Sequence, residues 1–185
     1  DLDKLPKFPK EFRVEKENYQ PFSRDEKGAR PWVKPGTPGL EHRIGGLEKA
    51  HITGNISYDP ENHEYMTHAR EDKVKGIADS IPTPEVHGAQ SGELLIIGWG
   101  STYGSIADAT ERTNEDGDKV GRMHLRHIWP LPNGLDEIFS RYKSILIPEL
   151  NLGQCLPHLT SPRFTSFPMP RTHAIHVSNS TSANF

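Results

Sequence analysis

Glycines at positions 98, 100 and 104, interleaved with Ser101 and Thr102, follow directly on the apolar run Leu94, Leu95, Ile96 and Ile97. Glycine lets a backbone turn sharply and approach another group, and a hydroxyl can accept from the open N–H groups that begin a helix. Together they could cradle an anion. The spacing is G-x-G-x-x-x-G, which is not the dinucleotide fingerprint, and no phosphate-binding lysine follows as in a P-loop. A tight strand-to-helix packing turn is therefore the preferred reading. Nucleotide binding at Gly98–Gly104 stands as an alternative that stabilisation by added nucleotide would reveal. A second set, Arg122, His124, Arg126 and His127, is basic and could meet an anionic substrate or partner, although charges at a strand end are usually just solvated. A third, His42, His51, His63 and His68, invites a metal. No pair among these has the His-x-x-x-His spacing with a third ligand in view, so hydrogen-bonding or solvated histidines are expected instead.

These residues need elements to hold them. Four consecutive large apolar residues at 94–97, without alternation, suit a strand covered on both faces, as in a parallel sheet. Ser105–Glu115 reads as a helix with Ile106, Ala107, Ala109 and Thr110 inward. Lys119–Ile128 reads as a second strand, Gly134–Tyr142 as a helix capped by Asn133, and Ser144–Pro148 as a third buried strand. Strand, helix, strand, helix, strand at this spacing predicts right-handed parallel βαβ units. Chemistry on such sheets sits at the carboxyl ends of the strands. Those ends are Trp99–Tyr103, His124–Trp129 and Glu149–Gln154. They contain no Ser-His-Asp order, close carboxylate pair or activated cysteine, so they read as a binding edge and no catalytic residue is assigned.

Upstream, residues 1–40 are charged and carry prolines at 6, 9, 21, 31, 35 and 38, which argues against long helix or sheet. Interleaved Phe8, Phe12, Tyr19, Phe22 and Trp32 are unlike a flexible linker and suggest an extended arm laid on a partner surface. Turns follow at Gly45-Gly46 and Gly54-Asn55. A helix is predicted over His63–Ser80, capped by Asp59 or Asn62, with an apolar stripe of Tyr65, Met66, Ala69, Val74 and Ile77.

The 185-residue chain is 33% hydrophobic with a net charge of −3, which gives no general attraction to nucleic acid or to an anionic membrane. No apolar run approaches the roughly 18 residues of a spanning helix. One cysteine, Cys155, leaves no internal disulfide or multi-Cys zinc or iron–sulfur site and suits a reducing compartment, so a cytoplasmic location is expected.

Four stretches carry a resemblance: RPWVKPGTPGLEHRIGGLEK, TGNISYDPENHEYM, LLIIGWGSTYGSI and HLRHIWPLPNGLDEIFSRYKSILIPELNLGQ. Over most of residues 1–154 the chain resembles the C-terminal half of the α subunit of 2-oxoglutarate:ferredoxin oxidoreductase, also called 2-oxoglutarate synthase. The resemblance implies a thiamine-diphosphate enzyme that converts 2-oxoglutarate and coenzyme A to succinyl-CoA and CO2 and passes electrons to ferredoxin. A β subunit would hold the diphosphate, its Mg²⁺ and an iron–sulfur cluster. It also implies a parallel three-layer α/β sheet of transketolase C-terminal-like type, preceded by the Pro-rich arm. The thiamine-contacting carboxylate would lie in a pyrimidine-binding domain upstream of Asp1, so no cofactor ligand is carried over to this chain.

The expected map is an arm, turns and a helix over residues 1–90, a transketolase C-terminal-like domain over 91–154, and a tail over 155–185. Within EHRIGG, His42 and Arg43 are the candidates for a substrate or subunit-contact loop, because a guanidinium fork binds carboxylate bidentately. A surface ion pair is the plainer role for Arg43. Beyond Gln154 the family-like pattern stops, and permitted codons give family-like peptides when the tail is read one base out of frame. The tail is thus read as frameshifted, without the last helix and edge strand, with true divergence as the alternative. The competing readings are a subunit of a sibling 2-oxoacid oxidoreductase and a free-standing α/β interaction module.

Overall fold

The computed structural model describes Asp3, residues 11–160 and residues 170–176. The chain divides into two units, Asp1–Gly76 and Ile77–Phe185.

In the first unit the proline-rich composition has its expected effect. Between residues 11 and 59 the backbone makes turns and isolated bridges, Phe22 with Ile52 and Lys49 with Ile56, and no longer strand. The segment folds on itself. Phe22 N–H donates to the Ile52 carbonyl at 3.0 Å, Arg13 N–H to that of Trp32 at 2.7 Å, and Leu40 and Phe22 are buried. Helix α1, Pro60–Gly76, begins where Asp59 accepts the Glu61 N–H at 3.0 Å, one of the two expected caps, and Pro60 supplies a preset φ at the first position. It ends at Gly76, and Ile77–Ser80 continues as a 3-10 turn, so the helix is shorter than predicted. The predicted stripe is also not a buried face: only Met66 is buried, while Tyr65 and Ile77 are exposed.

The second unit is built on a five-stranded sheet: β1 (Val86–Gly88), β2 (Gly92–Trp99), β3 (Val120–Leu125), β4 (Tyr142–Glu149) and β5 (Arg171–His176). The strand order is β1-β3-β2-β4-β5. β2, β3, β4 and β5 are parallel, and β1 adds an antiparallel edge that the sequence reading did not anticipate. The helices are α2 (Tyr103–Glu115), α3 (Leu135–Phe139) and α4 (Cys155–Thr160). Leu95 and Ile97 of β2 join Met123, Leu125, Ile145 and Ile147 in a core closed by Leu135, Ile138 and Phe139 of α3 and Cys155 and Leu159 of α4. Adjacent strand residues point to opposite faces, so Gly98 meets Ile106 of α2 on the other side. Helices thus cover both faces, which gives the three layers expected.

Two local expectations need correction. The third helix does not reach Tyr142: Gly134, at φ +82°, precedes a five-residue α3, and Tyr142 already opens β4. The chain after Gln154 also contains a helix and an edge strand. α4 runs Cys155–Thr160 and β5 pairs with β4 from Ser144–Arg171 to Glu149–His176, so the outer edge of β4 is occupied. RTHAIH alternates weakly and lacks the apolar run that marks a central strand, which is how an edge strand escapes a periodicity argument. The frame reading of residues 161–169 and 177–185 lies outside the described residues.

Candidate functional site

The parallel strands deliver their carboxyl ends to one edge, and there a cavity of ≈ 550 Å³ opens beside β3. His124 from β3, Arg126 and His127 just beyond it, His87 from β1 and Tyr103 at the start of α2 line it, with Glu85 as their carboxylate. The Tyr103 ring stands edge-on to the His124 ring at 5.2 Å, and the Arg122 guanidinium lies 5.5 Å over the Tyr103 ring. Three of the four residues of the sequence's basic cluster thus meet in the cavity. Arg122 instead turns to Glu111 at 3.2 Å.

Of the three strand-end loops, Trp99–Tyr103 and His124–Trp129 join at this edge, whereas Glu149 turns inward. Its carboxylate accepts the Cys155 N–H at 3.0 and 3.1 Å and the Leu156 N–H at 3.3 Å. His158 on α4 donates from Nε2 to the Ile128 carbonyl at 2.7 Å. That tie fastens α4 to the loop after β3.

The glycine turn is a packing device, at one position of three. A Cβ on Gly98 would lie 2.6 Å from Ile106 Cδ1 and 3.2 Å from His124 Nδ1, so only glycine lets α2 sit this close to the sheet. Gly100 is needed for its left-handed φ of +59°, and around Gly104 there is open space. Thr102 Oγ1 accepts the Trp99 N–H at 3.2 Å and donates to the Trp99 carbonyl at 2.8 Å. It closes the turn and leaves the first N–H groups of α2 uncapped by its side chain. The anion cradle considered for Ser101 and Thr102 is not built from that hydroxyl.

Burial lowers the His124 pKa from 6.5, and the nearby Arg126 charge lowers it further against a hydrogen bond that the ring donates to the Gly100 backbone. The neutral imidazole is the form this site holds at pH 7. Because the unfolded chain takes up the proton first as pH falls, His124 costs stability below about pH 6.5. The H124Q variant is expected to lose less stability than the parent between pH 7 and pH 5 in denaturant titrations. Identical pH slopes would show that His124 is not a source of the acid sensitivity.

His42 and Arg43 are placed in the first unit. The Tyr19 hydroxyl and His42 Nδ1 are 2.9 Å apart, with the Leu40 carbonyl at 3.1 Å, so the imidazole is held among local groups. Arg43 is exposed and makes no ion pair among the described residues. The other histidines do not gather. His63 meets Glu48 at 2.8 Å, His68 lies 3.9 Å from Glu71, and the His51 ring packs edge-on against Tyr65.

Among the described residues no group of three His, Cys, Asp or Glu could hold a metal ion. Cys155 is buried, and burial, with Glu149 adding, pushes its thiol up to about 11. It is therefore a packing residue and a poor thiolate ligand. With one cysteine in the sequence, the chain has no thiolate set for an iron–sulfur cluster. Native protein at pH 8 is expected to leave Cys155 unmodified by a thiol reagent such as DTNB until denaturant is added. Stoichiometric labelling within minutes under native conditions would show that α4 opens.

The fold has a counterpart in known proteins. Residues 92–161 match the family model of pyruvate:ferredoxin oxidoreductase core domain II, which sets the second unit within the 2-oxoacid:ferredoxin oxidoreductases. The chain is 47% identical over 156 residues to the 2-oxoglutarate oxidoreductase subunit KorA of Mycobacterium tuberculosis, covering 83% of this chain and 24% of that protein. It is 33% identical over 108 residues to subunit alpha of 2-oxoacid:ferredoxin oxidoreductase 1 of Aeropyrum pernix, covering 55% and 17%. A solved 2-oxoglutarate:ferredoxin oxidoreductase from Magnetococcus marinus, with 2-oxoglutarate, coenzyme A and succinyl-CoA bound, superposes with a TM-score of 0.73 at 32% identity. The superposition covers 86% of this chain and 28% of that one. The chain belongs to the 2-oxoglutarate:ferredoxin oxidoreductase α-subunit family. It spans less than a quarter of the length of either curated relative.

Proposed function

We propose that the chain is a non-catalytic C-terminal part of an α subunit in an enzyme that oxidises 2-oxoglutarate with coenzyme A to succinyl-CoA and CO2, reducing ferredoxin. The observation that carries this is the 47% identity, extended over 83% of the chain, to a 2-oxoglutarate oxidoreductase subunit. Thiamine diphosphate, Mg²⁺ and an iron–sulfur cluster belong in this reading to other parts of the assembly, and a β subunit is the partner. Thiamine diphosphate would supply the carbon–carbon cleavage. The role of this chain's residues is architectural: Gly98 seats α2, Glu149 seats α4, and the sheet edge between them faces its neighbours. Arg43 is the proposed contact for a carboxylate of the substrate or of a neighbouring subunit. No membrane attachment is required, and no helix of the described residues is long and apolar enough to cross one.

The test is to replace the matching segment of the Mycobacterium tuberculosis subunit with this chain and assay ferredoxin reduction in the assembled enzyme. The chimera is expected to need both 2-oxoglutarate and coenzyme A, while the 185-residue chain alone gives no turnover. Turnover by the chain alone, or an assembled chimera that prefers pyruvate, would overturn the reading.

A further inference from the structure

The first unit holds a cavity of ≈ 510 Å³ whose lining residues are unbalanced in charge. Arg24, Arg30, Arg70, Lys49 and Lys73 line it with Glu48 as the single carboxylate. Glu48 is already engaged. It meets His63 at 2.8 Å and Arg70 at 3.3 and 3.4 Å, and it accepts the Lys49 N–H at 3.1 Å. Lys49 is buried and its ammonium is turned to the Gly45 and Leu47 carbonyls. That leaves two half-buried guanidinium groups, Arg24 and Arg30, and the exposed Lys73 ammonium with no carboxylate partner among the described residues.

Neither guanidinium is idle, but neither is neutralised. Arg24 donates to the Phe22 carbonyl at 3.2 Å and to Met66 Sδ at 3.4 Å. Arg30 stacks 4.1 Å over the Phe22 ring and reaches the Pro21 carbonyl at 3.5 Å. These contacts fix the planes of both groups and use only part of their donors, of which a guanidinium has five. Burial lowers the Arg24 pKa, and repulsion from Arg30 and Arg70 lowers it further against Tyr65 and Glu48. Like charges held together in a partly desolvated cavity cost free energy that an anion would recover.

We propose that this cavity binds a phosphate-type polyanion, with Arg24 and Arg30 as the forked contacts and Lys73 as a rim charge. Three unneutralised cations match a pyrophosphate group better than the two charges of a dicarboxylate, and planar forks pre-set by stacking at Arg30 and by hydrogen bonds at Arg24 suit bidentate contact with phosphate oxygens. The site lies wholly within the first unit and does not depend on the oxidoreductase reading.

Calorimetric titration of the full chain with inorganic pyrophosphate, and in parallel with glutarate, tests it. Saturable 1:1 binding of pyrophosphate is expected, weakened about tenfold or more in R24Q and in R30Q and less in R30K, which keeps charge but loses the fork. The exposed K73Q variant should weaken binding by a few-fold without touching the packed residues, and so guards against misfolding of the arginine variants. Tighter binding of glutarate than pyrophosphate would overturn the phosphate assignment. Absence of pyrophosphate binding, or affinity unchanged in R24Q, R30Q and K73Q, would overturn the site.

Discussion

Replacing Glu149 by alanine is expected to destabilise the second unit by about 3 kcal/mol, because two buried N–H groups lose a shared acceptor in a site closed to water. The carboxylate is almost wholly buried and makes its contacts with the backbone at the start of α4. Those contacts cap the first N–H groups of α4, and they bind the end of β4 to the helix that covers it. Glu149→Gln keeps one accepting oxygen and should cost about half as much. Thermal melts followed by circular dichroism should show the alanine variant down by roughly 10 °C or more. A shift under about 3 °C would mean that Leu159, Cys155 and the His158 tie hold α4 without Glu149.

The second large effect is at Gly121, in β3. A Cβ there would sit 2.5 Å from both the Ala89 carbonyl oxygen and the Tyr142 hydroxyl. Those two atoms are themselves hydrogen-bonded at 2.5 Å, joining β4 to the turn after β1 across the two intervening strands. A methyl group can be admitted only by breaking this bond and displacing the backbone, so Gly121→Ala is expected to cost about 3 kcal/mol. Tyr142→Phe alone, which removes one hydroxyl, should cost about 1 kcal/mol. The double variant should be more stable than the sum of the two predicts, because the phenylalanine no longer presents the oxygen that the methyl group meets. Strict additivity in urea titrations would place the clash entirely on the Ala89 side.

These two residues also show what could be read from the sequence and what could not. The apolar runs at 94–97 and 144–148 are legible because double burial demands apolar side chains on both faces, the strand at 120–125 because its apolar residues alternate with Arg122 and His124, and the βαβ order follows. β1 was not, since Val86–Gly88 is too short to show a period and its antiparallel pairing is decided by the strand it meets. The stripe on α1 looks amphipathic, yet of its residues only Met66 is buried. Of the strand-end loops, two meet in the cavity as the parallel-sheet rule requires. The inward turn of Glu149 depends on where α4 starts, which no spacing encodes. His42 was noticed beside Arg43 as a contact residue, but its ring is held by Tyr19, 23 residues earlier. Arg24, Arg30 and Lys73 are spread along an irregular segment and a helix, so no sequence pattern marks them and only the fold makes them neighbours.

The strand order has a consequence for synthesis. β2 is the first of the parallel strands to leave the ribosome, yet it pairs only with β3 and β4, which follow it. Its apolar side chains therefore wait, unpaired, until at least Leu125 has emerged, and the β2–β4 seam cannot close before Leu146. During that interval the exposed run Leu94–Ile97 is the segment of the nascent chain most open to aggregation or chaperone capture.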